Sequence, residues 1–304
     1  MKFLFATNML LKSILEDCGL VITRYEPVNG GDINRSYCLY GADAKYFLKV
    51  NDANRYPGMF EKEMDGLKAL AKELSTFEKP ATLKRSSTIT IPRVIKSGIV
   101  QQEQFLLLEW IDIGKQKKDF WERFGEGLAL LHQKEQPYFG WEENNYTGSL
   151  HQCNTKHQSW HLFYAECRIM PLIKILFDSG VFSKHDLTIA ESFCKQLDKL
   201  FPQEPPALLH GDLWNGNFMI TTTGAAIYDP AVYYGHREMD IGMTKLFGGF
   251  DERFYDVYNE VYPLEKDWQH RLPLTQLYPL LVHAVLFGGH YAGSAREIIK
   301  RFIN

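Results

Sequence analysis

The chain has 304 residues, of which 45% are hydrophobic, with 34 Lys and Arg against 37 Asp and Glu. This length and composition predict a globular protein with a sizeable core, in one large domain or two lobes. The formal net charge of -3 at pH 7 argues against a nucleic-acid-binding protein, because such proteins usually carry a strongly basic surface.

The amino-terminal segment and the cysteines bear on where the protein resides. Residues 1–20 are typical of an amphipathic helix rather than a signal peptide, because Thr7 and Asn8 interrupt the apolar run and no cleavage site follows. No later run approaches the roughly 18 apolar residues of a membrane span. The five cysteines are widely spaced and lack a C-x-x-C pair, which argues against a disulfide framework or zinc site. We expect a cytoplasmic protein with no membrane partner.

Strand-like segments dominate the first third of the chain. VITRYEPV, NRSYCLYG and AKYFLKV are rich in Val, Tyr, Phe and Leu and are broken by Gly, Asn and Asp, which favours three strands in a meander. PGMFEKEMDGLKALAKEL has apolar residues at helical spacing after a Pro-Gly start signal. TITIPRVIKSGIV and QFLLLEWI indicate two more strands. Residues 1–110 are therefore predicted to form a lobe of about five antiparallel strands plus a helix, after the leading helix at 1–20.

Helical patterns dominate the rest of the chain. KDFWERFGEGLALLHQK and WHLFYAECRIMPLIKILFDSG predict helices, and a long amphipathic segment follows at about 184–200. No Pro-, Gly- or Ser-rich linker separates the two parts, so we expect a short hinge near 110–115 between lobes that share a cleft. The predicted fold class is α+β and two-lobed, with residues 111–304 forming the larger, mostly helical lobe.

The segment LLHGDLWNGNF, residues 208–218, carries the strongest functional signal. Asp212 is followed by Leu213 and, five residues on, by Asn217, which matches the D-L-x-x-x-N core of a kinase catalytic loop. In that loop the Asp accepts the proton of the attacking hydroxyl, and the Asn holds Mg²⁺ on the nucleotide phosphates. Asp229 follows AAIY, where a second metal-binding Asp is expected. A local capping or turn role for Asp212 and Asn217 is the alternative.

A phosphoryl-transfer site also needs a lysine on the third strand of the small lobe. YFLKV places Lys49 there, and Glu63 in the following helix is the preferred partner, with Glu61 as the alternative. Gly30 and Gly31 lie between the first two strands, where backbone N–H groups can cover phosphates. A hairpin turn explains these two glycines equally well. The order of Gly turn, Lys, Glu, hinge, Asp, Asn and Asp predicts an ATP-dependent kinase.

Three segments, HGDLWNGN, DPAVYYGHREMDIGMTKLFGGF and FGGHYAG, resemble the fructosamine kinase (ketosamine-3-kinase) family. The resemblance runs from about Leu20 to the C-terminus. Trp214 after Asp-Leu and the run YGHRE at 234–238 distinguish this family from its relatives. The family belongs to the aminoglycoside phosphotransferase and choline kinase group of the protein-kinase-like fold, so the resemblance implies that fold.

The resemblance also implies a reaction and its cofactors, ATP and Mg²⁺. Asp212 is then the general base, Asn217 and Asp229 bind Mg²⁺, and Lys49 contacts the ATP phosphates. The implied reaction transfers the γ-phosphoryl group to the 3-hydroxyl of a ketosamine, in which a ketose is linked to an amine. The 3-phosphate makes the adduct unstable, which links the family to deglycation. Expected partners are small-molecule ketosamines or glycated protein lysines, and the expected state is a monomer or weak dimer.

Further residues receive roles from the resemblance or from their chemistry. Glu109, Trp110 and Ile111 would form the hinge that meets adenine through backbone groups, although an ordinary buried strand end is the alternative. Trp214 can offer its indole face to the sugar or the amine cation, or lie in the core. His283 can line the substrate pocket or be a satisfied core residue.

His210 and Asp240 are expected to support the catalytic loop rather than take part in chemistry. Two other functions stay open at the level of the sequence. One is a kinase for choline, an aminoglycoside or another sugar, and the other is a pseudokinase that binds nucleotide or a glycated ligand without turnover. The pseudokinase is disfavoured because four residues are intact, Lys49, Asp212, Asn217 and Asp229.

Overall fold

A computed structural model describes residues 9–29, 33–76 and 89–303 of the chain. Before residue 110 the described elements are helices α1 (Met9–Cys18) and α2 (Met59–Ser75) and strands β1 (Ile22–Val28), β2 (Arg35–Gly41), β3 (Lys45–Asp52), β4 (Ile89–Thr90), β5 (Val94–Val100) and β6 (Glu103–Glu109). All of these strands except β4 form one antiparallel sheet, in the order β1-β2-β3-β6-β5.

Strand β6, which lies inside the sheet between β3 and β5, is covered on both faces. Because side chains alternate along a strand, Phe105 and Leu107 point to one face and Leu106 and Leu108 to the other. Phe105 and Leu107 pack in a cluster with α1, and Leu106 and Leu108 pack in a cluster with α2. The run FLLL is therefore apolar at every position, as expected of a strand buried on both sides.

The remainder of the chain is mostly helical. Its helices are α3 (Phe120–Gln133), α4 (Trp160–Phe163), α5 (Met170–Asp178), α6 (Lys184–Cys194), α7 (Leu197–Leu200), α8 (Glu238–Leu246), α9 (Glu252–Val261), α10 (Trp268–Phe287) and α11 (Tyr291–Arg301). Its short strands are β7 (Asn145–Thr147), β8 (Leu150–Gln152), β9 (Ala207–Leu209), β10 (Phe218–Ile220), β11 (Ala225–Ile227) and β12 (Tyr233–Gly235). The predicted α+β architecture, with a small sheet-containing lobe and a larger helical lobe, is confirmed.

Two elements depart from the pattern expected from the sequence. The segment predicted as one strand, TITIPRVIKSGIV, is divided between β4 and β5, and β4 pairs in parallel with β11 of the helical part. Pro92 lies between these two strands, where its missing N–H and fixed φ favour a break. The segment predicted as one helix from Trp160 contains a π-helix, Tyr164–Ile169, between α4 and α5.

Helices α3 and α9 pack closely because α3 has a glycine at the contact. A Cβ atom on Gly125 would clash with the backbone carbonyl oxygen of Phe254. Buried apolar residues surround this contact, among them Phe124, Leu128 and Tyr258. In the part of the chain that the structure describes, no helix is both long and apolar enough to cross a membrane.

Candidate active site

The loop after β9 is fixed through its backbone by Asp240 of α8. The N–H groups of His210 and Gly211 donate to the two carboxylate oxygens of Asp240, at 2.7 and 2.9 Å. His132 of α3 places Nε2 3.3 Å from the same carboxylate. Burial alone would raise the pKa of Asp240, but these hydrogen bonds and the His132 ring outweigh burial and lower it. The ionised carboxylate thus joins helices α3 and α8 to the loop.

The His210 side chain also holds the loop rather than facing a reacting group. The Asp212 N–H donates to Nδ1 of His210 at 3.3 Å, so Nδ1 is the acceptor nitrogen. The proton of the neutral ring therefore lies on Nε2, which donates to the Tyr228 carbonyl at 3.0 Å. Burial lowers the pKa of His210, which favours this neutral form.

The two glycines that flank the motif each avoid a steric clash. Gly211 has φ +82°, a left-handed conformation that favours glycine, and a Cβ atom there would clash with the Ala231 carbonyl oxygen. A Cβ atom on Gly216 would clash with the ring of Trp214. The sequence HGDLWNGN therefore folds as a tight loop with the indole lying over Gly216.

Asp212 and Asn217 are in direct contact at the end of this loop. The Asn217 side-chain amide donates to the carboxylate of Asp212 and to its backbone carbonyl, both at 2.8 Å. Burial raises the pKa of Asp212 to about 7, and the charge of Asp229 adds to the shift, while the Asn217 hydrogen bond opposes it. A carboxyl group poised near neutral pH is suited to accept a proton from a hydroxyl.

Lys49 lies between two carboxylates contributed by different parts of the chain. Its Nζ atom lies 2.8 Å from Glu63 of α2 and 2.5 Å from Asp229, which follows β11. Burial would lower the pKa of Lys49, but the two carboxylates outweigh burial and raise it. Glu63, and not the exposed Glu61, makes the contact. The lysine is thus a buried, fixed positive charge.

Asp229 has an unusual backbone conformation. Its φ is +57°, and such positive values are uncommon for residues other than glycine. Strained backbone of this kind clusters at ligand-binding positions, where the surrounding structure enforces it. Asp229 lines one cleft together with Lys49, Glu63, Asp212 and Asn217.

The oxygen donors in this cleft fit a hard divalent cation. The Asn217 side chain donates through its nitrogen, which directs both of these hydrogen bonds away from Oδ1 and leaves that oxygen to act as a ligand. The Asp229 carboxylate is 41% exposed, so it remains accessible from the cleft. Mg²⁺ binds through one or two protein oxygens together with substrate phosphates. Lys49, which lines the same cleft, carries a positive charge that suits phosphate groups.

A model of the fructosamine kinase family matches residues 8–304 of the chain. This protein belongs to the fructosamine kinase family. It is 40% identical over 278 residues to a probable ketoamine kinase of Synechocystis sp., covering 90% of this chain and 88% of that protein. It is 37% identical over 289 residues to a probable ketoamine kinase of Vibrio parahaemolyticus, covering 93% of each chain. The predicted family is confirmed, and the protein is an ATP-dependent kinase.

Solved structures agree with this family and with the predicted fold. A crystal structure of a candidate fructosamine-3-kinase from Thermobifida fusca has a TM-score of 0.82 and 34% identity, covering 96% of this chain and 97% of that one. An aminoglycoside phosphotransferase structure has a TM-score of 0.61 at 12% identity, covering 95% and 98% of the two chains. The protein-kinase-like fold of this fructosamine kinase family member is therefore confirmed.

The structure describes the predicted hinge residues but not the two predicted phosphate-binding glycines. Gly30 and Gly31 lie outside the described residues; Ile33 and Asn34, just beyond them, line the cleft. At the predicted hinge, the N–H groups of Glu109 and Trp110 donate to the carbonyls of Arg93 and Lys45.

Ile111 differs from the other two predicted hinge residues in its backbone N–H group. Within the described residues, no hydrogen bond uses the N–H group of Ile111. The side chain of Glu109 is turned toward Arg93, whose N–H donates to it at 2.9 Å. Any contact of this segment with a nucleotide base would therefore be made by backbone groups around Ile111.

Trp214 and His283 belong to a row of aromatic rings beside Asp212. The Trp214 and Phe247 centroids are 5.9 Å apart, and Phe247 and His283 are 4.8 Å apart. Trp214 lines the main cleft, while His283 lines a smaller cavity that also reaches Asp212. The Nδ1 atom of His283 lies 2.8 Å from the Pro279 carbonyl within α10. Neither ring lies in the fully buried core.

Several cleft residues were not predicted from the sequence. The hairpin of β7 and β8 places Asn145 and Tyr146 against the cleft, and α2 contributes Lys62. The Tyr146 hydroxyl donates to the Pro57 carbonyl at 2.9 Å, and Lys62 forms an ion pair with Glu143. The polar cluster ENNYTG at 143–148 is the signal in the sequence, but an ordinary turn explains it equally well.

The run YGHRE, which marks the family, has a supporting role in the structure. Arg237 makes a two-pronged ion pair with Glu204, and Arg271 makes one with Glu238. Ligand atoms of Glu204, His236 and Glu238 lie within 4.8 Å of one another, but both carboxylates are already neutralised by arginines. We therefore assign this cluster to anchoring the start of α8, which carries Asp240, and not to metal binding.

Proposed function

We propose that the protein transfers the γ-phosphoryl group of ATP to the 3-hydroxyl of a ketosamine. The observation that carries this proposal is the convergence of Asp212, Asn217, Asp229 and Lys49 on one cleft that Trp214 also lines. The family model and the relatives named ketoamine kinases support the choice of a ketosamine as the acceptor. Loss of amine and sugar from the unstable 3-phosphate would make the reaction a step in deglycation.

In this mechanism Asp212 orients the acceptor hydroxyl and takes its proton. Asn217 fixes the carboxylate by its hydrogen bond at 2.8 Å, so little reorganisation is needed when the hydroxyl arrives. Burial raises the pKa of Asp212 to about 7 in the free protein, so its carboxylate is a stronger proton acceptor than that of an exposed aspartate. Positioning of this kind supplies much of the rate enhancement in phosphoryl transfer.

Charge neutralisation on the nucleotide side falls to residues of both lobes. Lys49, held by Glu63, would contact the ATP phosphates, and Asn217 and Asp229 would hold Mg²⁺. The bound ion would supply neutralisation of charge on the phosphate oxygens. Lys49 contacts Asp229 at 2.5 Å, so it must share or release this carboxylate when the ion enters.

The acceptor would lie against the aromatic row on the other side of Asp212. Trp214 offers an indole face that is 37% exposed, and Phe247 and His283 continue the row. Aromatic faces bind the apolar faces of sugars and attract cationic amines. A ketosamine presents both groups next to its 3-hydroxyl, which fits a site with the base at one end of an aromatic surface.

The test measures ATP consumption with four acceptors, ribulosyl-lysine, fructosyl-lysine, choline and an aminoglycoside. We expect turnover with one or both ketosamines, with phosphate found on O3 by NMR. Turnover with choline or the aminoglycoside alone would contradict the proposed acceptor but retain the kinase. ATP binding without turnover of any of the four would instead favour a non-catalytic binding role.

A further inference from the structure

Two cysteines outside the cleft lie close enough to react with one another. Cys153 directly follows β8, and Cys167 lies in the π-helix Tyr164–Ile169. Their Sγ atoms are 3.2 Å apart. A disulfide bond is about 2.05 Å long, so the two sulfurs need to approach by little more than an ångström. Both are free thiols in the structure.

The two thiols have opposite chemical environments. Burial would raise the pKa of Cys153, but hydrogen bonds from the Thr155 hydroxyl and amide and the charge of Arg168 outweigh it and lower the pKa. Burial raises the pKa of Cys167 to about 12. Cys153 is partly exposed and Cys167 is buried. Since the thiolate is the reactive form, Cys153 is the accessible nucleophile and Cys167 is the protected partner.

A histidine lies beside the buried thiol of Cys167. The Nε2 atom of His157 is 3.7 Å from the Sγ atom of Cys167, which places it to receive the thiol proton. The side chains of Cys153, His157 and Cys167 do not form a metal-binding cluster. Among the described residues, three ligand atoms within 4.8 Å of one another occur only at Glu204, His236 and Glu238.

We propose that Cys153 and Cys167 are a redox modification site that forms a reversible disulfide with hydrogen peroxide as oxidant. The Cys153 thiolate attacks one peroxide oxygen, which gives a sulfenic acid and hydroxide. The Cys167 sulfur then attacks the sulfenic sulfur and expels its hydroxyl group. The proton of Cys167 passes to His157 and from there to this departing hydroxide. The hydroxide released in the first step takes up the proton that Cys153 lost on ionisation. In sum, two thiols lose two protons and two electrons, and peroxide becomes two molecules of water.

The position of this pair connects it to the cleft. Cys153 follows Gln152, whose side-chain amide donates to Asn145 at 2.8 Å and to the Ala231 carbonyl at 3.1 Å. Asn145 and Ala231 both line the cleft. The disulfide would tie the end of the β7–β8 hairpin to the π-helix. Because a cross-link constrains the unfolded chain, the oxidised protein should melt at a higher temperature than the reduced protein.

The experiment treats the full-length protein with hydrogen peroxide and maps the peptides without reduction. We expect a cross-link between the peptides that contain Cys153 and Cys167, reversed by dithiothreitol. Cys153→Ser and Cys167→Ser should abolish it, and Cys194→Ser, a matched control at a third cysteine, should retain it. In Cys167→Ser, dimedone should label Cys153 as the sulfenic acid. Oxidation should raise the melting temperature of wild type and Cys194→Ser only.

Two results of the peptide map would overturn the proposal. One is a folded wild-type protein in which peroxide oxidises other cysteines while Cys153 and Cys167 remain thiols. The other is cross-linking that joins Cys153 or Cys167 to other cysteines as often as to each other. The wild-type peptide map gives either answer even if a serine variant fails to fold. A separate measurement of bound zinc also tests the proposal. If the wild type binds one zinc ion and Cys167→Ser and His157→Ala do not, the cysteines form a metal site and not a redox site.

Discussion

At the scale of single residues, Asp212 shows how catalysis and stability oppose each other. An acid whose pKa is raised in the folded state holds its proton more tightly there than in the unfolded chain. The raised pKa of Asp212 therefore begins to destabilise the folded protein when the pH rises above 3.8, the pKa of the unfolded chain. This destabilisation reaches its full size above about pH 7. The group proposed as the base is a source of instability at neutral pH.

Replacing Asp212 by Asn should separate these two effects. Asp212→Asn keeps the shape and removes the charge, so we expect kcat to fall by about 100- to 10,000-fold. The free energy of unfolding should increase by about 1 to 3 kcal/mol at pH 8, a figure reduced from the full shift because the side chain is partly accessible. Near pH 4 the gain should nearly vanish. Denaturation at both pH values, together with steady-state kinetics, tests this.

Two outcomes would contradict the assignment of Asp212. One is near-wild-type turnover by Asp212→Asn, which would show that another group acts as the base. The other is a gain in stability of the same size at pH 4 and pH 8, which would show that the pKa of Asp212 is not raised in the folded protein.

The contact between Lys49 and Glu63 can be tested with Glu61 as a matched control. Glu63→Gln removes the charge that holds Lys49 at 2.8 Å, so we expect kcat/KM for ATP to fall by about 10- to 100-fold, corresponding to about 1.4 to 2.7 kcal/mol. Glu61→Gln should stay within about twofold of wild type because its side chain is exposed and does not contact Lys49. Equal effects of the two substitutions on ATP kinetics would contradict the Glu63 assignment.

The limits of prediction from sequence are clearest at individual residues. Asp212 and Asn217 could be singled out because they lie five residues apart in one short loop, and Asp229 because it follows an apolar strand. His132, which contacts Asp240 at 3.3 Å, was not found, because a histidine on a buried helix face carries no local pattern that reveals its partner. Lys62 was missed for a related reason, since charged residues on a helix are mostly solvated.

At the scale of elements, helix α3 connects core packing to the loop that carries Asp212. Gly125 allows α3 to approach α9, and His132 on the same helix contacts Asp240. Any displacement of α3 would therefore move a support of the loop. The glycine looks unfavourable in a helix when the sequence is read alone, because glycine costs about 1 kcal/mol relative to alanine there.

Gly125→Ala should therefore destabilise the protein despite its better helix propensity. We expect a loss of about 1 to 3 kcal/mol in the free energy of unfolding, because the added methyl group would clash with the Phe254 carbonyl. Gly293→Ala in α11 is the control, since a Cβ atom there meets no atom within 4 Å, and it should stabilise by up to about 1 kcal/mol. Urea denaturation of both variants distinguishes them; a stabilising Gly125→Ala would contradict the close packing.

Helices and strands with a regular pattern of apolar residues were predicted well. Elements whose regular geometry is interrupted were not. Helix α2 begins at Met59, directly after the predicted Pro-Gly signal. The π-helix was missed because one extra residue in a helical turn leaves the apolar pattern nearly intact. Pro92 marks the division of β4 from β5, but the pairing of β4 with β11 was missed because it is set by distant residues. Local sequence cannot specify such a partner.

At the scale of the whole molecule, the cleft depends on charges from both lobes. Lys49 and Glu63 come from the small lobe, and Asn217 and Asp229 come from the helical lobe. A nucleotide with its metal ion would bind all of these groups at once and should stabilise the complete fold. Ligands that bind only the folded protein raise its melting temperature by mass action.

The magnesium assignment predicts a specific pattern of thermal shifts. With ADP, the wild-type protein should show a larger increase in melting temperature in Mg²⁺ than in EDTA. Asp229→Asn should show little difference between the two conditions, because one of the two protein oxygen ligands has lost its charge. Asp198→Asn, at an exposed position in α7, should behave as wild type. An unchanged Mg²⁺ dependence in Asp229→Asn would contradict the metal assignment.

Strand β4 has a consequence for exchanging lobes between related kinases. Residues Ile89–Thr90 come before the hinge in sequence but pair with Ala225–Ala226 beyond it. A chimaera joined at residue 110 would set β4 of one parent against β11 of the other, next to the residues that lead into Asp229. A junction ahead of residue 89 keeps that pair native but divides β3 from β6, the two central neighbours of the sheet. Evolution and engineering alike must therefore match a strand pair across any junction, so the lobes are not freely interchangeable modules.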